Sequence, residues 1–172
     1  TVAWPVINSP FNSGGNQVTG KQFISKLQPD LTQFLYSANF GTATGSLPNI
    51  SPTAFLVDRC ENVYVSGWGG TLAPDFPSAG TKGLATFGTG QLSTTTDGED
   101  LYFVVLEKSA KNILYATFFG SISGTNGPLG DHVDGGTSRF DKNGTIYQSV
   151  CSCLGSNPAP GTALRGTAGV WS

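Results

Sequence analysis

The sequence predicts an all-β protein made of repeated four-stranded antiparallel sheets, and its composition, an internal repeat and a series of short strands all favour this fold class. Charged residues make up 12% of the 172 residues, which is about half of the share that is usual in globular proteins. The chain also holds 24 Gly and 10 Pro residues, and both residue types favour turns. Many turns and few charged side chains are typical of an extracellular β-protein.

The internal repeat has two halves, and each half occurs twice. Residues 22–42, QFISKLQPDLTQFLYSANFGT, align without a gap with residues 101–121, LYFVVLEKSAKNILYATFFGS. Residues 57–67, VDRCENVYVSG, align with residues 140–150, FDKNGTIYQSV. The matching pairs include Leu27 with Leu106, Tyr36 with Tyr115, Asp58 with Asp141, and Tyr64 with Tyr147. The repeat predicts two copies of one structural unit, because a stacked unit buries its faces against its neighbours.

Each copy holds four segments with the properties of β-strands. The segments are short, rich in β-branched and aromatic residues, and bounded by Gly, Pro, Asn or Asp. Asn143 and Gly144 separate the last two segments of the second copy, and Asn-Gly is a strong hairpin signal because both residues tolerate a positive φ. The predicted strands span residues 22–27, 33–40, 52–57 and 62–67 in the first copy, and 101–107, 112–119, 137–141 and 145–150 in the second.

Four antiparallel strands per repeat, joined by a long linker, are typical of the blades of a β-propeller. We therefore predict about two blades, in a fragment of a longer chain, because two blades cannot close a ring. A β-sandwich of eight strands is the alternative packing of the same elements. The predicted organisation is the end of a preceding blade or a linker at 1–21, a first repeat at 22–70, a linker at 71–100, a second repeat at 101–153 and the start of a third at 154–172.

The ordered series of motifs resembles the β-propeller repeats called SBBP. It consists of NVYVSGWGG at 62–70, DFP at 75–77, DGEDLYFVVLEKSAKNILYATFFG at 97–120 and RFDKNGTIYQSVC at 139–151. More narrowly, the chain is similar to large surface proteins of Bacteroidetes that carry these repeats ahead of a gliding-motility-associated C-terminal domain. The resemblance covers residues 20–172 and departs at Cys60, where the repeat usually has Gly or another turn residue.

The resemblance implies a non-catalytic propeller segment of a secreted cell-surface protein that is associated with the outer membrane. Proteins of this class are similar to cargo of the type 9 secretion system. The segment is then expected to serve adhesion or gliding, or to associate with the secretion machinery. The expected partners are outer-membrane secretion and surface proteins, or surface polysaccharide. Function is expected where the two copies differ, in the linker at 71–96 and the loop at 123–136.

The single histidine, His132, stands among carboxylates in the stretch GDHVDGG. Asp131, His132 and Asp134 therefore form a candidate metal site. Ca²⁺ is favoured over zinc, because most of the ligands would be oxygens. The alternative interpretation is a polar loop between two strands. No other cofactor is predicted.

Four further residues are candidates for ligand binding or cross-linking. Trp68 follows a predicted strand, and an exposed indole can stack on a sugar ring; packing between blades is the alternative role. Cys60 could form a disulfide with Cys151 or Cys153, and an odd number of cysteines leaves one thiol over. The alternatives are a metal site at Cys151 and Cys153, or buried thiols.

Charge and hydropathy argue against two classes of function. The formal net charge is −2 and the basic residues are scattered, so no nucleic-acid-binding face is predicted. The apolar runs are short, so no membrane-spanning segment is predicted. A carbohydrate-active enzyme on a propeller is an alternative function, because Asp97, Glu99 and Asp100, with Asp131 and Asp134, could supply paired carboxylates. A structural subunit of a particle or filament is a further alternative, suggested by the low charge.

Overall fold

The computed structural model describes residues 21–42, 47–69, 80–110, 112–120, 131–132, 138–143, 145–149 and 151–152. This part of the chain is all-β and its sheets are antiparallel, so the predicted fold class is confirmed at that level. The described ranges contain no helix, and so none that is long and apolar enough to cross a membrane. The strands are β1 (Gln22–Leu27), β2 (Phe34–Phe40), β3 (Ser51–Val57), β4 (Val63–Trp68), β5 (Leu101–Leu106), β6 (Ile113–Phe119), β7 (Asp131–His132), β8 (Ser138–Phe140), β9 (Ile146–Gln148) and β10 (Cys151–Ser152).

The eight predicted strands are confirmed, and each end lies within two residues of the prediction. They correspond to β1–β6, β8 and β9. Strands β7 and β10 have two residues each and pair with one another, with Cys151 opposite His132. Neither was predicted, because two residues carry no measurable alternation.

The strands combine into sheets in a different order from the sequence repeat. The central sheet has four strands in the order β3-β4-β5-β6. It therefore takes the last two strands of the first copy and the first two strands of the second. Strands β4 and β5 pair along their whole length, from Val63 opposite Leu106 to Trp68 opposite Leu101. Within the described residues, β1–β2 and β8–β9 form separate two-stranded sheets.

The turns repeat as faithfully as the strands. Leu31 and Ala110 occupy equivalent positions in the β1–β2 and β5–β6 turns and have φ angles of 61° and 51°. Each donates its N–H to the carbonyl three residues before it. The β3–β4 and β8–β9 turns also match, because Asp58 and Asp141 each donate their N–H to the carbonyl four residues later. The two copies of the sequence thus encode the same local structure.

The central sheet is covered on both faces. Strand β5 alternates across it: Tyr102 and Val104 belong to the cluster on one face, and Leu101 and Phe103 to the cluster on the other. The hairpin β1–β2 covers the first face and contributes Ile24, Tyr36, Ala38 and Phe40. On the second face, Ile146 of β9 packs against Trp68, Leu101 and Phe103. The result is three stacked layers, a hairpin, a four-stranded sheet and a second hairpin.

A buried polar network holds β1 against the start of β3. The side-chain oxygen of Gln22 accepts the N–H groups of Asn49 and Ile50, at 3.0 and 2.9 Å. The side-chain amide of Asn49 donates to the carbonyl of Gly80 at 2.7 Å, which also ties the linker to this network. Both side chains are buried, and buried polar groups that are hydrogen-bonded in this way specify a unique arrangement.

Candidate functional site

An apolar groove lies between the hairpin β1–β2 and the edge strand β3. It has a volume of about 540 Å³ and is open to solvent. We call it the β1–β3 groove. Its walls are mainly apolar, with Phe23, Ile24, Phe40, Ile50, Phe55 and Val65 among the lining residues. Phe55 leaves 60% of its surface exposed, so the groove presents an aromatic ring that a partner could cover.

A second groove lies on the opposite face of the central sheet, between β6 and β9. It has a volume of about 380 Å³ and is also open. We call it the β6–β9 groove. It is lined by Leu92, Phe103, Tyr115, Thr117, Phe119, Ile146 and Gln148. Neither groove contains a histidine, a cysteine or a carboxylate among these residues, so both suit the binding of an apolar partner better than acid–base chemistry.

Equivalent residues of the two copies of the repeat have different surroundings at the β6–β9 groove. Tyr36 and Phe40 of β2 are buried against the central sheet. Their counterparts in β6 are Tyr115 and Phe119, which line the open β6–β9 groove and are only partly buried. The same face of the repeat is therefore covered in one copy and accessible in the other. Each groove therefore leaves an apolar face of the described sheets accessible.

The aspartates at the start of the repeated hairpins hold turns. The Asp58 carboxylate accepts the N–H of Cys60 and of Asn62, the side-chain amide of Asn62 and the hydroxyl of Tyr64, at 2.8 to 3.2 Å. Partial desolvation raises the pKa of Asp58, but these hydrogen bonds outweigh it and leave the pKa below its usual value. All the carboxylate bonds described here lie within the turn, which is a structural use.

Asp141 repeats this arrangement in the β8–β9 turn. Its carboxylate accepts the N–H of Asn143 at 2.7 Å and of Thr145 at 2.9 Å. The hydrogen bond from the Thr145 N–H is the largest cause that lowers the pKa of Asp141. The recurrence of Asp in the two motifs thus follows from the geometry of the turn.

The acidic cluster before β5 is also built into a turn. The Asp97 carboxylate accepts the N–H of Glu99 at 2.9 Å, and the Asp100 carboxylate accepts the N–H of Asp97 at 3.2 Å. Asp100 is 3% exposed. Among the residues that the structure describes, no group of three or more His, Cys, Asp or Glu side chains could hold a metal ion.

Two residues of the candidate Ca²⁺ site fall within the described backbone. Asp131 and His132 form β7, and the third residue, Asp134, lies outside the described residues. The Cα of Cys151 is opposite that of His132 across the β7–β10 pair, which brings two of the candidate positions into neighbouring strands. Cys153 lies outside the described residues. The Ca²⁺ site and the disulfides stay predictions.

Trp68 is buried in the smaller core cluster, and Cys60 lies in an exposed turn. Trp68 is 5% exposed and packs with Leu101 and Phe103, so a sugar would have to displace these neighbours to reach the indole. Cys60 is exposed in the β3–β4 turn. The grooves, by contrast, were not predicted. The available signal was the presence of large apolar residues such as Phe55 at positions of an edge strand.

The linker between the repeats packs onto the second copy where the structure describes it. Leu84 is buried in the larger cluster, and the hydroxyl of Tyr102 donates to the carbonyl of Ala85 at 2.7 Å. Phe87 pairs with Ala116 of β6 in an isolated antiparallel bridge. This part of the linker therefore serves as a fifth, irregular edge of the central sheet.

Comparison of the chain with protein-family models finds no match. Comparisons with curated proteins and with solved structures also find none.

Proposed function

We propose that this chain is a non-catalytic segment of β-propeller blades within a large secreted surface protein, where it serves as a scaffold for adhesion or gliding or for association with a type 9 secretion system. The observation that carries the proposal is the three-layer stack. A four-stranded antiparallel sheet lies between one hairpin of the first copy of the repeat, β1–β2, and one hairpin of the second copy, β8–β9. Repeated four-stranded sheets arranged around an axis are the building principle of propellers.

The stack favours a propeller over a sandwich. A β-sandwich has two sheets whose outer faces meet solvent, and its strands alternate between buried and polar residues. Here the central strand β5 is buried on both faces, with Leu101, Tyr102, Phe103 and Val104 at 4% exposure or less. Only an element between two layers has this pattern. The outer hairpins then correspond to parts of the two neighbouring blades.

The use of the acidic residues supports a non-catalytic role. Asp58 and Asp141 accept hydrogen bonds from their own turns, and Asp97 and Asp100 accept bonds from the turn before β5. A glycosidase needs two carboxylates that face one another across a substrate cleft. These carboxylates instead lie at the ends of hairpins, and the two described grooves are apolar. The two grooves are therefore suited to binding a partner through apolar contacts.

The proposal is tested in cells that produce the parent protein. In one experiment, intact cells are treated with protease. In a second experiment, an affinity-tagged parent protein is purified from untreated cells, and the proteins that copurify with it are identified by mass spectrometry. We expect the protein to be cleaved on intact cells and to copurify with outer-membrane channel or lipoprotein components. Protection from protease together with recovery of a soluble protein alone would overturn the surface role. Hydrolysis of a glycan by the purified chain would overturn the non-catalytic role.

A further inference from the structure

We infer that the β1–β3 groove binds the β8–β9 hairpin of a second copy of this chain, so that copies associate head to tail. Strand β9 of one copy would pair with β1 of the next and extend its sheet. This is β-strand addition, in which main-chain hydrogen bonds supply the contact and side-chain pockets supply the specificity. The inference goes beyond the proposed function and concerns the 172-residue chain by itself, in which a second copy supplies the strand that a neighbouring blade would supply in the parent protein.

The first argument is the equivalence of β1 and β5. The repeat aligns Leu27 of β1 with Leu106 of β5. Strand β5 pairs with β6 on one side and with β4 on the other. In the described part of the chain, β1 has the matching pair on the β6 side, which is β2. The strand that corresponds to β4 is β9, because Tyr64 aligns with Tyr147. The chain therefore contains, at its other end, the kind of strand that pairs with β1.

The second argument is the register that this equivalence dictates. Val63 lies opposite Leu106, and Val65 lies opposite Val104. Transferred to the other ends of the repeat, the register places Ile146 of one copy opposite Leu27 of the next, and Gln148 opposite Ser25. The first is an apolar pair and the second a polar pair, so side chains of like character meet across the new strand pair.

The third argument is a contact that the structure already contains once. Tyr64 of β4 packs against Phe140 of β8, with ring centroids 5.8 Å apart. The counterpart of Tyr64 is Tyr147, and the counterpart of Phe140 is Val57 of β3. Tyr147 is 58% exposed and Val57 is 49% exposed. The docked hairpin would bring these two side chains together beside the β1–β3 groove.

The same placement of the hairpin explains why Phe55 is exposed in the single chain. It lies opposite Val65 in the β3–β4 pair, and Val65 belongs to the larger core cluster. Phe55 therefore points to the face that the hairpin β1–β2 covers, but it lies beyond the edge of that cover and stays 60% exposed. A strand added beside β1 extends the cover over this position.

The contact is heterologous, because the groove and the hairpin that fills it are different surfaces of the chain. Heterologous contacts give a ring when the rotation between copies closes and a filament when it does not. Within the described residues, each copy offers one β1–β3 groove and one β8–β9 hairpin for this contact. Association should therefore proceed beyond dimers.

The test uses the 172-residue chain and two charged variants. Phe55→Glu places a charge in the groove, and Tyr147→Glu places one on the hairpin. Both side chains are more than half exposed, so the substitutions should leave the fold intact. Leu31→Glu is the control, because Leu31 is 74% exposed in the β1–β2 turn and lines neither groove. Sedimentation is measured at concentrations up to about 100 µM.

We expect the unmodified chain and the Leu31→Glu control to associate, and each groove or hairpin variant to do so at least about tenfold more weakly. A mixture of the Phe55→Glu and Tyr147→Glu chains should form dimers, because the first keeps an intact hairpin and the second an intact groove. A strictly monomeric unmodified chain would overturn the inference. So would a mixture that associates no better than its components, since that result indicates a symmetric contact.

A disulfide measurement tests the register independently of charge. Ser25→Cys and Gln148→Cys are made in separate chains, with Cys60, Cys151 and Cys153 replaced by Ser. Cα atoms of paired residues in antiparallel strands lie about 4.5–5.5 Å apart, a separation that a disulfide spans. Oxidation of the mixture should give a cross-linked heterodimer, and neither variant alone should cross-link. Absence of the heterodimer in a mixture that associates would overturn the proposed register.

Discussion

The aspartates that open the equivalent hairpin turns show how one residue type can recur for a structural reason. Asp58 and Asp141 each accept N–H groups two and four residues later in the chain. Such Asx turns are favoured by Asp and Asn because their short side chains reach their own backbone. The sequence predicted the repetition of these residues correctly, but repetition alone does not distinguish a turn from a ligand site. Only the donors that surround the carboxylate make that distinction.

The hydrogen bonds to Asp58 predict acid sensitivity. The pKa of Asp58 is below its usual value in the folded protein, so its contribution to stability is present at neutral pH and is lost as the pH falls through the folded-state pKa. We expect the free energy of unfolding of Asp58→Asn to be lower at neutral pH and to change less between about pH 5 and about pH 2. Urea denaturation at a series of pH values measures both effects. Arg59→Gln, in the same turn, is the control, and its free energy of unfolding should depend on acid pH as that of the unmodified chain does. The prediction would be contradicted if the free energy of unfolding fell equally with pH in all three proteins.

The left-handed backbone at Leu31 predicts a stabilising substitution. Its φ is 61° and its side chain is 74% exposed. The leucine side chain therefore contributes little packing, whereas its Cβ makes the left-handed conformation sterically unfavourable. Leu31→Gly should raise the free energy of unfolding by about 0.5–1 kcal/mol, as judged from the midpoint of urea denaturation. Leu35→Gly is the control, because Leu35 is an exposed residue of the extended strand β2 and the same change should destabilise there. A loss of stability in both variants would contradict the prediction.

At the scale of the element, the strands and turns could be predicted from the sequence, and the small pair β7–β10 could not. The alternation of NVYVSG and the turn residues that bound it fix β4 locally. Strands β5 and β6 are also determined locally, because the turn between them is closed by hydrogen bonds at Glu107 and Ala110. Strands of two residues depend on partners distant in the chain, and such partners leave no local pattern.

The packing of β5 against the linker predicts a measurable role for one hydroxyl group. Tyr102 is 2% exposed and donates to the carbonyl of Ala85, and burial raises the pKa of Tyr102 well above its usual value. Tyr102→Phe removes the donor and should lower the free energy of unfolding by about 0.5–1.5 kcal/mol at neutral pH. Hydrogen exchange should become faster in the linker around Ala85, while the amides shared by β4 and β5 keep their protection.

The same substitution should change the alkaline limb of the stability profile. A raised pKa in the folded state means that stability is present below the unfolded-state value, near pH 10, and is lost as the pH rises above it. Tyr102→Phe should therefore lose less stability than the unmodified chain between about pH 8 and about pH 11. The control is Tyr147→Phe, because Tyr147 is 58% exposed. Identical alkaline limbs in the two variants would show that Tyr102 is not the group responsible.

For the whole molecule, the composition and the repeat predicted an all-β protein, but not the order in which strands join into sheets. Each copy of the repeat supplies two hairpins, and the strand β4 can satisfy its pattern with any extended partner of suitable register. Its actual partner, β5, follows a long linker. The grooves could not be predicted for the same reason. Each groove is a part of a sheet face that stays uncovered after the strands have joined into sheets, and the order of joining was not known.

The order of the strands predicts which piece of the chain folds alone. Residues 21–120 contain the hairpin β1–β2, the complete central sheet and every member of the larger core cluster. Residues 21–100, the first repeat with its linker, also hold four strands but lose β5 and β6. The cluster members lost with them are Tyr102, Val104, Leu106, Ala110, Ala116 and Phe118. Two hairpins that keep only the remaining eight members of that cluster are marginal in water.

We therefore expect the 21–120 fragment to unfold in one cooperative urea transition and the 21–100 fragment to show none. The larger fragment should be less stable than the full chain, because it lacks Ile146 of β9, which packs on Trp68, Leu101 and Phe103. Substituting Val104→Asp, at 1% exposure in the middle of the sheet, should abolish the transition of the 21–120 fragment, because a buried unpaired charge is strongly destabilising. A cooperative 21–100 fragment would instead identify the sequence repeat as the folding unit, and the pairing of β4 with β5 would then be a contact between two units that fold independently.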